Sequence, residues 1–113
     1  MISKSRIEQG DGWSRLHLTG EIDMSALSGA DEVIARLLEG HPKKVIVDLS
    51  DVDFMDSSGI GVIAMLVRGQ RDTGGVVEVL DAKPIVVRAI ETCGLDRYLT
   101  FAGGAHRDEL TPS

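Results

Sequence analysis

Residues 43–50, KKVIVDLS, pack Val45, Ile46, Val47 and Leu49 into a β-branched run between Pro42 and an acidic loop. A run of that kind reads as a strand buried on both faces of a sheet. What constrains the fold is the helical spacing on either side of it. Upstream, MSALSGADEVIARLLEG sets Leu27, Ala30, Val33, Ile34, Leu37 and Leu38 three and four residues apart and closes at Gly40 and Pro42. Ser25 and Asp23 compete as the cap of that helix. Downstream, a second helix runs to about Asp72, Thr73-Gly74-Gly75 make a turn, and VVEVL forms a strand. Pro84 then opens PIVVRAIETCG, which carries Ile85, Val86, Ala89 and Ile90 on one face and stops at Gly94. Strands that alternate with helices pair in parallel through helical crossovers, so residues 43–50 should be the central strand. Functional loops of such sheets gather at the carboxyl ends of the strands.

The two ends complete the pattern. MISKSRIEQ and WSRLHLTG flank the turn Gly10-Asp11-Gly12, and Trp13, Leu16 and Leu18 alternate with polar residues as in a hairpin. RYLTF is a short edge strand, and GGAHRDELTPS is polar enough to fray. The expectation is an α/β protein: a mixed central sheet of four to five strands with an amino-terminal hairpin and helices mainly on one face. A chain of 113 residues with 42% hydrophobic content supports one core, so a single domain is expected over 1–104, with 105–113 as a tail. A net charge of −6 disfavours nucleic-acid binding, which draws on clustered Lys and Arg. The longest apolar run, Ile60 to Val67, is far too short for a membrane span, and the amino terminus has no apolar export segment. Cys93, alone in the chain, can form no internal disulfide and reads as buried filler in a cytoplasmic protein.

The stretch FMDSSGIG, residues 54–61, lies just beyond the central strand and places two hydroxyls and an acid where a helix begins. The first amides of a helix lack partners, and one Asp or Ser can cap them for about 1 kcal/mol. One cap accounts for one of Asp56, Ser57 and Ser58 and leaves the others to explain. Gly59 and Gly61 each cost about 1 kcal/mol against alanine inside a helix, which suggests that a bare backbone surface is wanted there. On a helical wheel Ser57, Gly61, Ala64, Arg68, Arg71 and Asp72 point outward, and Val62, Ile63 and Leu66 point to the core. Ile60 and Met65 border the outer strip, either as a docking surface or as the margin of a wider buried face.

An exposed serine here suits regulation better than hydrolysis. Nucleophilic catalysis needs a convergent base, and His17, His41 and His106 fall in a strand, after a helix and in the tail. The G-x-S-x-G elbow is missing as well. Phosphorylation needs only access. It would add about −1.5 to −2 charges beside Asp56, repelling a bound partner while the helix dipole helps the domain stay folded. Asp53 and Asp56 have no spacing specific for Mg²⁺, and no metal or cofactor is expected.

LTGEIDMSAL, VIVDLSDVDFMDSSGIGVIAML and GGVVEVLDAKPIVVRAIETCGLDRYLTF together closely resemble the STAS-domain anti-sigma factor antagonists of bacteria, from about Ile2 to Phe101. The resemblance implies the STAS fold and a protein that binds an anti-sigma factor, thereby releasing a sigma factor. That anti-sigma factor has a histidine-kinase-like ATPase fold and acts as a serine kinase. The residue it modifies falls on Ser57, and a serine phosphatase resets the switch. The resemblance also implies that Asp23 of GEID lies near Ser57 and Asp56, with Ser58 and Gly59 completing the surroundings. Ile60, Gly61, Met65 and Arg68 are the expected partner-binding residues. Relatives with the same fold serve as constitutive scaffolds in stress-signalling complexes or as accessory subunits of lipid or anion transporters. The intact Asp56-Ser57-Ser58-Gly59 favours the switch.

Overall fold

A computed structural model describes residues 5–103. Its elements are β1 (Ser5–Gly10), β2 (Trp13–Ile22), α1 (Ala30–Leu38), β3 (Lys44–Met55), α2 (Ser57–Asp72), β4 (Val76–Leu80), α3 (Pro84–Thr92) and β5 (Thr100–Ala102). The sheet order is β1-β2-β3-β4-β5. Among the described residues only β1 and β2 pair antiparallel, and the other three pairings are parallel. The expected hairpin, the central third strand and the helical crossovers are all present. The expected tail lies outside the described residues.

The sheet has one apolar face. Leu16, Leu18 and Ile22 of β2, Val45, Val47 and Leu49 of β3, and Val77 and Val79 of β4 are buried on the side where the helices pack. Against them lie Val33, Ile34 and Leu37 of α1, Val62, Ile63, Leu66 and Val67 of α2, and Val86, Val87 and Ile90 of α3. Burial of this many branched side chains, each contributing about 1.5–3 kcal/mol, holds the layers together.

The reading of residues 43–50 as buried on both faces is therefore corrected. Ile46 and Arg15, both half-buried, and the buried Asp48 lie on the opposite face, where polar groups stand in place of a second helical layer. Arg15 Nη2 donates to Asp48 Oδ2 at 2.6 Å, and both the Ser50 hydroxyl and the Ser50 amide donate to Asp48 Oδ1, at 2.7 and 3.1 Å. Burial pushes the Asp48 carboxyl upward, but the Ser50 hydroxyl and Arg15 outweigh it and hold the group well below the usual carboxylate range. A depressed folded-state pKa contributes stability above the unfolded value of about 3.9 and loses it as pH falls further. Asp48→Asn should therefore lower the unfolding free energy by about 2 kcal/mol at neutral pH. The gap between variant and parent should begin to narrow below about pH 4 and go on shrinking as pH falls towards the depressed folded-state pKa. Urea unfolding at a series of pH values measures this, and a gap that persists unchanged at pH 2.5 would remove Asp48 from that role.

Several local expectations shift. The first helix begins at Ala30 rather than Met24, because Gly29 takes a left-handed conformation at φ 80°. Residues Met24–Leu27 form a separate 3₁₀ turn, capped by Asp23 and not by Ser25. β3 continues to Met55 through what reads in sequence as a linker. Of RYLTF, only Thr100 and Phe101 fall in β5, since Leu95–Tyr98 is another 3₁₀ turn. Ile85 is exposed and Val87 takes its place in the core. Cys93 is exposed at the end of α3 rather than buried.

Gln70 is a buried polar side chain within this core. Its Nε2 donates at 3.0 Å to the carbonyls of Pro42 and Val76, clamping α2 to the starts of β3 and β4.

Candidate functional site at the start of α2

Two irregularities in the sheet position the site. Between His17 and Thr19, and again between Gly20 and Glu21, β3 advances one residue more than β2. These bulges change which residues of β3 face inward: Val45, Val47 and Leu49, then Val52, then Met55. They also bring Ile22 and Met55 into register at the carboxyl ends of adjacent parallel strands. The next residues, Asp23 and Asp56, thus leave the sheet side by side, and the Asp56 amide donates to the Ile22 carbonyl at 3.1 Å.

Each acid then does a local task. Asp23 Oδ1 accepts from the Ser25 hydroxyl at 2.7 Å and the Ala26 amide at 3.0 Å. Those two bonds, the hydroxyl first, lower its pKa from the ordinary value. Asp56 Oδ1 accepts from the amides of Ser58 and Gly59 at 2.8 and 3.3 Å and so caps α2. Ser57, the first helical residue, is exposed, and its hydroxyl makes no hydrogen bond among the described residues.

The two glycines have different reasons. A Cβ on Gly59 would collide with Met55 Cγ and press on Ile22, so the missing side chain serves contact between α2 and the strand ends, not a partner's approach. Gly59→Ala should cost about 1–3 kcal/mol through overpacking. For a domain of this size that lowers the melting temperature by roughly 4 °C or more, readable by calorimetry; an unchanged midpoint would mean that Met55 yields freely. Gly61 faces open space, and an added Cβ would meet nothing within 4 Å.

Ser57, Gly61, Met65 and Arg68 are all exposed along α2. Ile60 is not part of that stripe: it is 6% exposed and belongs to the core. The buried arc of α2 is widened by α1, β3, β4 and the Met24–Leu27 turn, all of which pack against it. Arg68 lies eleven residues from Ser57, about 16 Å along the helix, and lines a different cavity with Arg71 and Tyr98. It is therefore not part of the serine's immediate surroundings.

Beside Ser57 lies a groove of about 350 Å³ between α2 and α3. Met55, Asp56, Ser57 and Ile60 form one wall; Ile85, Arg88, Ala89, Thr92 and Cys93 form the other. The α3 wall escaped sequence reading. Ile85, Arg88, Ala89 and Thr92 do share one helical face, which their three- and four-residue spacing would have revealed. Among the described residues, no three His, Cys, Asp or Glu side chains converge as a metal site requires. Asp53 Oδ1 instead pairs with Lys83 Nζ at 2.5 Å. No helix of the described residues is long and apolar enough to cross a membrane.

The family model for the STAS domain matches residues 4–106. The anti-sigma-F factor antagonist RsfB of Mycobacterium tuberculosis is 30% identical over 103 residues, which cover 89% of this chain and 81% of RsfB. An anti-sigma F factor antagonist of Paenibacillus polymyxa is 33% identical over 88 residues, covering 74% of this chain and 73% of its own. In three dimensions the chain is similar to the anti-sigma factor antagonist SpoIIAA in its unphosphorylated form, with a TM-score of 0.75 at 20% identity and 94% and 92% of the two chains covered. The phosphorylated form of SpoIIAA, a Bacillus cell fate determinant, matches with a TM-score of 0.71 at 20% identity, covering 94% and 96%.

Proposed function

This chain belongs to the STAS domain family, and on that footing we propose that it is an anti-sigma factor antagonist switched off by phosphorylation of Ser57. It binds an anti-sigma factor that doubles as a serine kinase, frees the sigma factor held by that protein, and has no catalytic activity of its own. It works in the cytoplasm, where a serine phosphatase restores the binding form.

One observation carries the reading. Asp56 supplies the cap of α2, so Ser57 is released from that duty and offers an unengaged hydroxyl to solvent. Its oxygen can attack the γ-phosphorus of ATP held by the kinase, with ADP leaving and the hydroxyl proton passing to a base of the kinase. The helix keeps its cap throughout. The existence of phosphorylated and unphosphorylated SpoIIAA supports the same reading for a fold of this kind.

Intact-mass measurement after incubation with ATP and the anti-sigma factor kinases of the source organism tests it. One added phosphoryl group, mapped to Ser57 and lost in Ser57→Ala, is the expected result. Full labelling of the alanine variant would move the site elsewhere, Ser58 first.

A further inference from the structure

Resting on the reading of Ser57 as the modified residue, we infer that Arg88 is the internal counter-ion of the phosphorylated serine and holds the phosphoryl group across the groove between α2 and α3. A new dianion at residue 57 meets an awkward setting. The amides of Ser58 and Gly59, which would otherwise receive it at the helix start, already serve Asp56, and Asp56 itself is a like charge next to it. A donor must come from elsewhere.

Arg88 is the sole cation among the residues that line the Ser57 groove. It projects from the facing wall, is exposed, and has no ion-pair or hydrogen-bond partner for its side chain among the described residues. The other described cations do not line this groove, and several are engaged elsewhere. Lys83 is held by Asp53, Arg15 by Asp48, and Arg71 stacks on Tyr98 at 4.7 Å from the ring centre. A groove of about 350 Å³ has room for on the order of ten water volumes, so a phosphoryl group enters without moving either helix. A guanidinium suits this role because its fork can donate two parallel hydrogen bonds to phosphate oxygens. Bridged this way, the phosphoryl group lies over Ile60 and Ile85 and closes the groove to a partner's side chain.

The test installs phosphoserine at position 57 during translation, without any kinase, and follows the phosphorus resonance through a pH titration. The second ionisation of a phosphoserine lies near pH 6, and a guanidinium in contact should lower it by about half a pH unit. That lowering should vanish in Arg88→Gln, return in part in Arg88→Lys, and persist in Arg68→Gln. An Arg88→Gln protein that titrates like the parent overturns the pairing, as does an equal shift from Arg68→Gln. Binding of the same phosphoprotein to the anti-sigma factor is read separately. Retained binding together with a shifted ionisation would sink the switch at Ser57 and leave the pairing intact.

Discussion

Ser57→Asp should weaken binding to the anti-sigma factor by roughly 30-fold or more, while Ser57→Ala binds as the parent does and is never released by ATP. The magnitude follows from desolvation. An unpaired charge enclosed in an interface costs about 2–5 kcal/mol, and each 1.4 kcal/mol is tenfold in affinity. Aspartate brings about one charge where phosphate brings nearly two, so the variant gives a lower bound on the effect of modification. Misfolding is not a rival explanation, because Ser57 is exposed and the cap of α2 comes from Asp56. The melting temperature should stay within about 3 °C of the parent, as for surface substitutions generally. Titration calorimetry with the purified partner and no nucleotide-driven turnover reads the affinity directly. Equal affinity of Ser57→Asp and parent would overturn the switch.

The largest loss of stability should come from Gln70. Its Nε2 donates to two carbonyls from different segments, Pro42 before β3 and Val76 at the start of β4, and the side chain is 1% exposed. Gln70→Ala removes both bonds and leaves a cavity, which together should cost about 3 kcal/mol. That is a large share of the 5–15 kcal/mol that holds a typical domain. Gln70→Glu separates the polar contribution from the volume. At neutral pH it sets a carboxylate against two carbonyl oxygens and should be worse than alanine. Burial raises the pKa of such an acid, so the variant should regain stability as pH falls and the carboxyl gains a proton to donate. Urea unfolding at pH 7 and pH 5 checks both variants. A Gln70→Glu protein equally stable at the two would mean that water reaches the site and solvates the charge.

How far the sequence revealed the fold depends on how regular each element is. Val45, Val47 and Leu49 alternate cleanly, and the strand they announce is there. Val52 and Met55 also face the core, but the bulges break the two-residue period, and without a visible partner strand that stretch reads as a linker. Gly29 interrupts a helical pattern that continues on both sides of it, so the boundary of α1 was hidden in an otherwise correct periodicity. Ile85, read onto the buried face, is exposed, whereas of the two readings open for Ile60 the wider buried face is the one found. A wheel fixes the centre of a buried stripe but not its width, which depends on what packs alongside. Neighbouring elements widen it over Ile60, whereas Ile85, on the first turn of α3, stays 60% exposed. The candidate site is legible as a motif. Asp56, Ser57 and Asp23 stand out from the residues and the resemblance they carry, whereas the α3 wall of the groove depends on a contact between distant segments.

Among the described residues the sheet ends at two strands whose character bears on how such a regulator persists in a crowded cell. One border is β5, only three residues long; the other is β1, which carries exposed Arg6 and Glu8. A short rim offers few bonds to an incoming strand, and ionic side chains on the far rim must be stripped of water before another chain can add there. Both features work against edge-to-edge stacking into fibrils.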